Sequence, residues 1–235
     1  MVKRVCLPCL LSFLSVIEGF CYYGEVSEEE LRSAFIDSFG TERVDEFMEG
    51  IQNVKQELLL DLDFFLASDP AVDSKEEVVA CYPGYRAISY YRFAHLLRNL
   101  GYLLPSRMIS EIAHEKTGID IHPGANILAP FFIDHGTGIV IGETTQIGKN
   151  VKIYQGVTLG ALSLSKGSQM KGMKRHPSVG NNVTIYANAS ILGPIDVGDN
   201  VTIGGNVFLT EGVRSNTKVI LDKPEFIVLP KVDKK

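Results

Sequence analysis

Tryptophan is absent and cysteine is scarce: the 235-residue chain has four, Cys6, Cys9, Cys21 and Cys81, three of them within the first 21 positions. That is no disulfide framework for a chain of this length, and it fits a reducing, cytoplasmic compartment with the cysteines in structural packing roles. Cys6 and Cys9 make a CxxC around Pro8, with no second pair to complete a tetrahedral zinc site. Positive charge is in deficit as well. The 23 Lys and Arg are outnumbered by 28 Asp and Glu, giving a net charge of −5, and the cations are scattered, so no stripe exists to neutralise a phosphate backbone. Nor is there an apolar run of the roughly 20 residues that a membrane span requires. Neither a nucleic-acid nor a membrane partner is expected. The apolar stretch from Val5 to Ile17 follows Lys3 and Arg4 and so imitates a secretory leader, but Glu18 comes directly after it and no small-x-small cleavage site is visible. Three readings stay open for residues 1–24: a leader, a buried helix, or an extension from an early start site.

What the chain does have is two periodicities in succession. Across residues 25–118 apolar residues recur at three and four, the spacing of a helix face. Ser27 and Glu30 form a capping box, after which Leu31, Ala34, Phe35 and Phe39 share a face until Gly40. A longer helix carries Val44, Phe47, Met48, Ile51, Val54, Leu58, Leu62, Phe65 and Leu66 and is closed by Pro70. Two more are expected, from about Tyr85 to Asn99 and from Pro105 to Gly118. This half is a helical domain.

From residue 119 to 215 the period becomes six. Ile141, Ile147, Ile153, Leu159, Val179, Ile185, Ile191, Val197, Ile203 and Leu209 each begin a hexapeptide, and a second small or branched residue follows four places on, as at Thr145, Val151, Val157, Val183, Ala189, Ile195, Val201, Val207 and Val213. Six residues make one short strand and a turn, and stacked coils bury the repeated side chains in a continuous core. The class expected is therefore α + β, a helical domain followed by a parallel β-helix, with residues 216–235 as a tail. The repeat is interrupted once, at 161–177, where Lys166, Lys171, Lys174 and Arg175 are interspersed with Gly167 and Gly172. That composition reads as a loop extruded from the coil, either a binding element or a tolerated surface excursion.

Running the repeat backward from Ile141 sets His135 where an aliphatic residue is expected, flanked by Asp134 and Gly136. A catalytic imidazole and a hydrogen-bonded core histidine both fit that departure. Asp120 lies fifteen residues earlier, close to one three-hexapeptide coil, where a carboxylate could fix the imidazole tautomer or simply cap the first coil.

The segment from Asp120 to Gly160, DIHPGANILAPFFIDHGTGIVIGETTQIGKNVKIYQGVTLG, followed by RHP at Arg175 to Pro177 and preceded by DPAVD at Asp69 to Asp73, resembles the serine O-acetyltransferases. The similarity runs over roughly residues 25 to 215 and implies a left-handed β-helix, a homotrimer or dimer of trimers with sites between subunits, and acetyl transfer from acetyl-CoA to L-serine without a metal. Carried over by position, it makes His135 the general base and Asp120 its orienting partner. It sets Asp69 and Asp134 on the substrate ammonium, and Arg175 and His176 on the carboxylate. The pantetheine arm of CoA is implied to run past Ala187 and Gly205, with Lys174, alongside Lys166 and Lys171, toward its phosphates. Glu143 of the GET motif is either a supporting residue or a turn residue.

Two departures remove claims. The chain ends Val-Asp-Lys-Lys in place of the family's C-terminal isoleucine, which makes a cysteine synthase complex doubtful, and the tail LDKPEFIVLPKVDKK replaces the GxPAR motif at the adenine end of the CoA site. Three other functions compete with this reading. A hexapeptide acyltransferase for homoserine or a sugar is disfavoured by DPAVD and RHP. A zinc carbonic anhydrase on the same scaffold would need converging imidazoles, and His95, His114, His122, His135 and His176 lack its i, i+5 pair. A non-catalytic trimeric scaffold would leave the Asp120 and His135 agreement unexplained.

Overall fold

A computed structural model describes residues 6–163 and 167–222. Lys166, the basic start Lys3 and Arg4, and the tail beyond Asp222 lie outside the described residues. Among the described residues six α-helices precede fourteen short strands.

Helix α1 (Leu7–Glu18) runs into a π-helical turn, Gly19–Tyr23, which Gly24 ends at φ 64°. Its Leu10, Phe13, Leu14 and Ile17 are buried. Phe13 packs edge-on to Phe39 of α2 (Glu28–Phe39), with ring centroids 5.0 Å apart, and Phe35 stacks on Phe47 of α3 (Val44–Ser68) at 4.3 Å. These rings form the outer core of the helical half, and the apolar start of the chain is part of it. Cys6 and Cys9 are disulfide-bonded across the first turn of α1, where Cys6 is the N-cap. This differs from the unpaired thiols expected, because the cap geometry brings their Cα atoms within 5.4 Å. The capping box at the start of α2 is present in both directions, Glu30 N–H to Ser27 Oγ and Ser27 N–H to Glu30 Oε2.

After α3 come the short α4 (Lys75–Cys81), then α5 (Pro83–Asn99) and α6 (Leu103–Thr117) packed against each other. Helix α5 is buried nearly all round, as its Tyr85, Ile88, Tyr91 and Phe93 show. It is the joint of the molecule. Tyr91 Oη donates to the Ala125 carbonyl at 2.8 Å and accepts from the Ile127 N–H at 3.1 Å, so one hydroxyl replaces two missing ladder partners on the first coil. Beside it Arg92 makes a two-pronged ion pair with Asp61 of α3, at 2.6 and 2.9 Å, and donates to the Ile127 carbonyl; Asp61 also accepts from the Phe131 N–H at 2.8 Å. Burial raises the Asp61 carboxyl pKa and would lower that of Arg92, while mutual attraction opposes both. Three donors converging on one carboxylate settle the pair as ionised.

The strands form three parallel sheets that wind as one β-helix. One face holds β1 (Asp120–Ile121), β4 (Val140–Ile141), β7 (Thr158–Gly160), β10 (Ser190–Leu192) and β13 (Phe208–Leu209). The second holds β2 (Asn126–Ile127), β5 (Gln146–Ile147), β8 (Ser178–Val179) and β11 (Asp196–Val197). The third holds β3 (Phe131–Asp134), β6 (Val151–Tyr154), β9 (Thr184–Ile185), β12 (Thr202–Ile203) and β14 (Lys218–Val219). Ile141, Ile153, Leu159, Ile185, Ile191 and Ile203 are at most 1% exposed, so the hexapeptide positions are the core. Asn150, Asn182, Asn188, Asn200, Asn206 and Asn216 sit at corners with φ between 56° and 61°, a left-handed conformation that asparagine tolerates better than other side chains.

The coil length is not uniform, and this corrects the register expected at His135. Val140 pairs with Thr158, eighteen residues on, but Asp120 pairs with Val140, twenty residues on. The core position of that coil is taken by Ile133, paired with Ile153 and 1% exposed, and the two extra residues fall in the corner that follows. His135 is therefore a corner residue at φ 56° with a side chain 72% exposed, not a side chain in a core slot. A two-residue insertion at one corner is invisible to a backward count of six.

Candidate active site

The corner after β3 stacks on the corners after β6, β9 and β12. Extending the paired registers Asp134 with Tyr154, Ile153 with Ile185 and Ile185 with Ile203 by one or two residues aligns His135, Gln155, Ala187 and Gly205 in one column. Backbone bonds stitch the same edge, Asn188 N–H to the Gln155 carbonyl and Asn206 N–H to the Ala187 carbonyl, both 2.9 Å. A Cβ on Gly205 would meet the Ala187 carbonyl oxygen at 3.2 Å, so the edge is narrow there. The imidazole and the two small residues thus line one edge of the prism.

The neighbouring column is Asp134, Tyr154 and Tyr186. Asp134 approaches His135 Nδ1 at 3.7 Å, an ion-pair distance and not a hydrogen bond. The helical half reaches this point through Gly84, near the start of α5. A Cβ on Gly84 would lie 2.2 Å from the Ile133 carbonyl oxygen, so only glycine lets α5 seat on β3 one residue before Asp134. Two residues upstream, Tyr82 Oη donates to Asp69 Oδ2 at 3.1 Å, and the other Asp69 oxygen accepts from the Ala71 N–H at 2.8 Å. Burial, the hydrogen bond to Asp69 and the charges of Asp69 and Asp134 push the Tyr82 phenol up to about 12. The Tyr154 phenol is raised by burial and by the charges of Asp134 and Asp69. Two carboxylates from distant segments therefore face the same two phenols.

The RHP segment docks on the coil that carries GET. Thr144 Oγ1 accepts from the N–H groups of Arg175 and His176, at 3.0 and 3.1 Å. The His176 ring lies on Gly142, where a Cβ would be 2.1 Å away, and its Nδ1 accepts from the Thr144 N–H at 3.1 Å. Accepting at Nδ1 assigns the proton to Nε2. Burial, then the adjoining Arg175 charge, lowers the His176 pKa to about 4, so this imidazole is a neutral donor at ordinary pH. Arg175 donates to Glu143 at 2.6 Å, and Arg98 of α5 holds the other Glu143 oxygen at 2.8 Å. The Arg175 hydrogen bond, opposed by burial and aided by the nearby cations, lowers the Glu143 pKa. Glu143 is thus the link between the helical half, the β-helix and the foot of the extruded loop, a role the sequence alone left undecided.

Not every expected residue is drawn into this arrangement. Among the described residues no hydrogen bond joins His135 to Asp120; Asp120 opens β1, its N–H bonded to the Ile139 carbonyl. The Lys174 ammonium is taken by the carbonyls of Thr144 and Pro177, at 2.7 and 3.2 Å, which makes it an anchor of the loop foot in the single chain. Tyr82 and Tyr154 entered the site without having been singled out for it, and Glu143, named as either a supporting or a turn residue, takes the supporting role. For Tyr154 the signal was there, six residues after Gly148 in the repeat, at an outward position where most coils carry a small or polar residue. Among the described residues no cluster of three or more His, Cys, Asp or Glu side chains is arranged to hold a metal, and no helix is long and apolar enough to cross a membrane.

Residues 176–211 match the family model of the bacterial transferase hexapeptide (six repeats). The plasmid serine acetyltransferase of Synechococcus elongatus is 47% identical over 191 residues, which is 80% of this chain and 60% of that protein's length. The serine acetyltransferase of Helicobacter pylori is 44% identical over 171 residues, 73% of this chain and 96% of the relative. Among solved structures, serine acetyltransferase isoform 3 of Entamoeba histolytica in complex with cysteine superposes with a TM-score of 0.79 at 30% identity, covering 93% of this chain and 84% of that one. A serine acetyltransferase complex with CoA superposes at 0.67 and 29% identity, covering 89% and 81%. With hexapeptide coils behind a helical domain and near-complete coverage of a relative at this identity, the chain belongs to the serine acetyltransferase family of acyltransferases.

Proposed function

We propose that this chain transfers acetyl from acetyl-CoA to the hydroxyl of L-serine, with His135 as general base. The observation that carries the reading is the edge column in which an exposed imidazole stands in line with Ala187 and Gly205 and beside Asp134. A thioester laid along that edge presents its carbonyl carbon to an acceptor held at the His135 end. The serine Oγ proton passes to His135 as the Oγ–C bond forms, and the tetrahedral oxyanion collapses with cleavage of the C–S bond. The imidazolium then returns its proton to the departing thiolate, leaving O-acetylserine and CoA. A thioester is already activated, so one base and good positioning suffice.

Asp69 and Asp134 take the serine ammonium, and Arg175 and His176 its carboxylate. Arg175 has five N–H donors, of which one on Nη2 goes to Glu143 and one on Nη1 to the Met173 carbonyl, so the other three are left for a substrate carboxylate. Asp120 is assigned as the orienting carboxylate on the motif match. The site is completed between neighbouring β-helices of a trimer, which accounts for the 72% exposure of the base in a single chain. The test is thiol release from acetyl-CoA with L-serine, L-homoserine, a simple sugar and no acceptor. Release with serine is expected; release with homoserine or sugar in its place would keep the fold and overturn the acceptor.

A further inference from the structure

The ladder that carries Asp134 also carries aromatic rings for which acetyl transfer has no stated use. Tyr154 follows Asp134 in register, and Tyr186 stacks on Tyr154 with centroids 5.2 Å apart and planes 20° from parallel. Stacking runs along the β-helix axis. Tyr186 lies on the coil after Tyr154, and Asp134 on the coil before it. One face of the Tyr154 ring is thus covered by Tyr186, and the other is turned toward the Asp134 end. Asp69 is brought to the same space by its hydrogen bond from Tyr82 and by the seating of Gly84 on β3. Two carboxylates thus act on the phenol of a stacked tyrosine, which is the chemistry that receives an organic ammonium: the carboxylates supply charge and the ring face supplies its quadrupole.

We infer that Tyr154, backed by Tyr186, forms the aromatic wall of the ammonium site and selects acceptors that carry a primary ammonium. This rests on the reading of Asp69 and Asp134 as the ammonium carboxylates, and its test is therefore kept apart from catalysis. Tyr154 points outward from the β-helix between inward-facing Ile153 and the corner, so its replacement leaves the core intact.

The experiment is an NMR-monitored titration of the full-length protein with L-serine and with 3-hydroxypropanoate, which is serine without its ammonium. It is run on the wild type and on the Tyr154→Leu, Tyr154→Phe and Tyr186→Leu variants. Tyr154→Leu is expected to weaken serine binding about tenfold and to leave 3-hydroxypropanoate within twofold, since only the cation uses the ring face. Tyr154→Phe keeps the ring and should bind serine within twofold of wild type, while Tyr186→Leu, which frees the ring to move, should lose roughly threefold. Equal weakening toward both ligands would overturn the proposal in favour of a packing role, as would unaltered serine binding in Tyr154→Leu. Should Tyr154→Leu fail to fold, unaltered serine binding in Tyr186→Leu overturns it. A wild type that binds serine no better than 3-hydroxypropanoate removes the ammonium site and the proposal with it. A wild type that discriminates between them yet releases no thiol leaves the aromatic wall standing and sinks the acetyl-transfer reading alone.

Discussion

Replacing Asp61 by alanine should loosen the joint between the two halves of the molecule. Asp61 is fully buried and Arg92 is 3% exposed, and the carboxylate takes two guanidinium bonds and the Phe131 N–H. Removing it strands a buried charge and a buried amide. Breaking one side of such a pair costs about 3–5 kcal/mol, and an orphaned amide adds roughly 1 kcal/mol. Glu57 remains on Arg92 at 3.0 Å, but it is 41% exposed and screened, so it offsets only part of the loss. The expected fall in unfolding free energy is about 3–4 kcal/mol, read from urea curves followed by circular dichroism. At 2–4 °C per kcal/mol for a chain of this size, Tm drops by roughly 6–16 °C. The double variant Asp61→Leu/Arg92→Met should recover most of that, because the penalty lies in the leftover charge and not in losing attraction. A loss under about 1 kcal/mol, or a double variant as unstable as the two single losses combined, would show that the buried charge pair does not hold the joint.

Three further outcomes follow from the site. His176 has a folded pKa of about 4 against an ordinary 6.5, so the unfolded chain binds its proton first; stability is complete above about 6.5 and falls as pH drops toward 4. Protection factors of the Arg175 and His176 amides, both bonded to Thr144, should fall over that window once the intrinsic slowing of exchange at lower pH is divided out, and an NMR titration of His176 near 6.5 would contradict it. Gly84→Ala forces a methyl onto the Ile133 backbone and should cost about 1–3 kcal/mol while raising the serine KM, since it lifts Asp69 and Tyr82 from Asp134. Unchanged stability and KM would count against the seating of α5. Gly205→Ala meets Ala187 only at 3.2 Å and should fold normally but raise the acetyl-CoA KM, roughly fivefold for about 1 kcal/mol of crowding, without altering that of serine. Equal shifts for both substrates would separate the edge from the CoA path.

Much of this was readable in the chain because the signals were local or strictly periodic. Ser27 with Glu30 announced α2, and the three-and-four spacing from Val44 gave α3, found at Val44–Ser68. The aliphatic positions from Ile141 to Ile203 all face the core. Helix α4 was missed although Ser74 caps it through the Glu77 N–H, because seven residues show too little of a face to count. The register slip at Ile133 escaped for a different reason: an inserted pair in a corner changes coil length without disturbing any hexapeptide on either side. The Asp61 and Arg92 joint and the grip of Glu143 by Arg98 and Arg175 span 31, 45 and 32 residues, and no periodicity reports a contact of that kind. Aromatic stacking of Tyr154 on Tyr186 likewise depends on a 32-residue coil that includes the extruded loop, which hides the alignment from a period of six.

An exposed corner imidazole, and not any other group on this edge, is the proposed acceptor of the serine proton. The most direct measurement is the steady-state turnover of His135→Ala with saturating acetyl-CoA and L-serine, alongside a serine-binding titration of the same variant. A fall in kcat of about 10²–10⁴ is expected, with serine binding within a few fold of wild type, because the base acts in the transition state and contributes little to holding the substrate. Near wild-type turnover would contradict it and return the search for a base to the other side chains of the column.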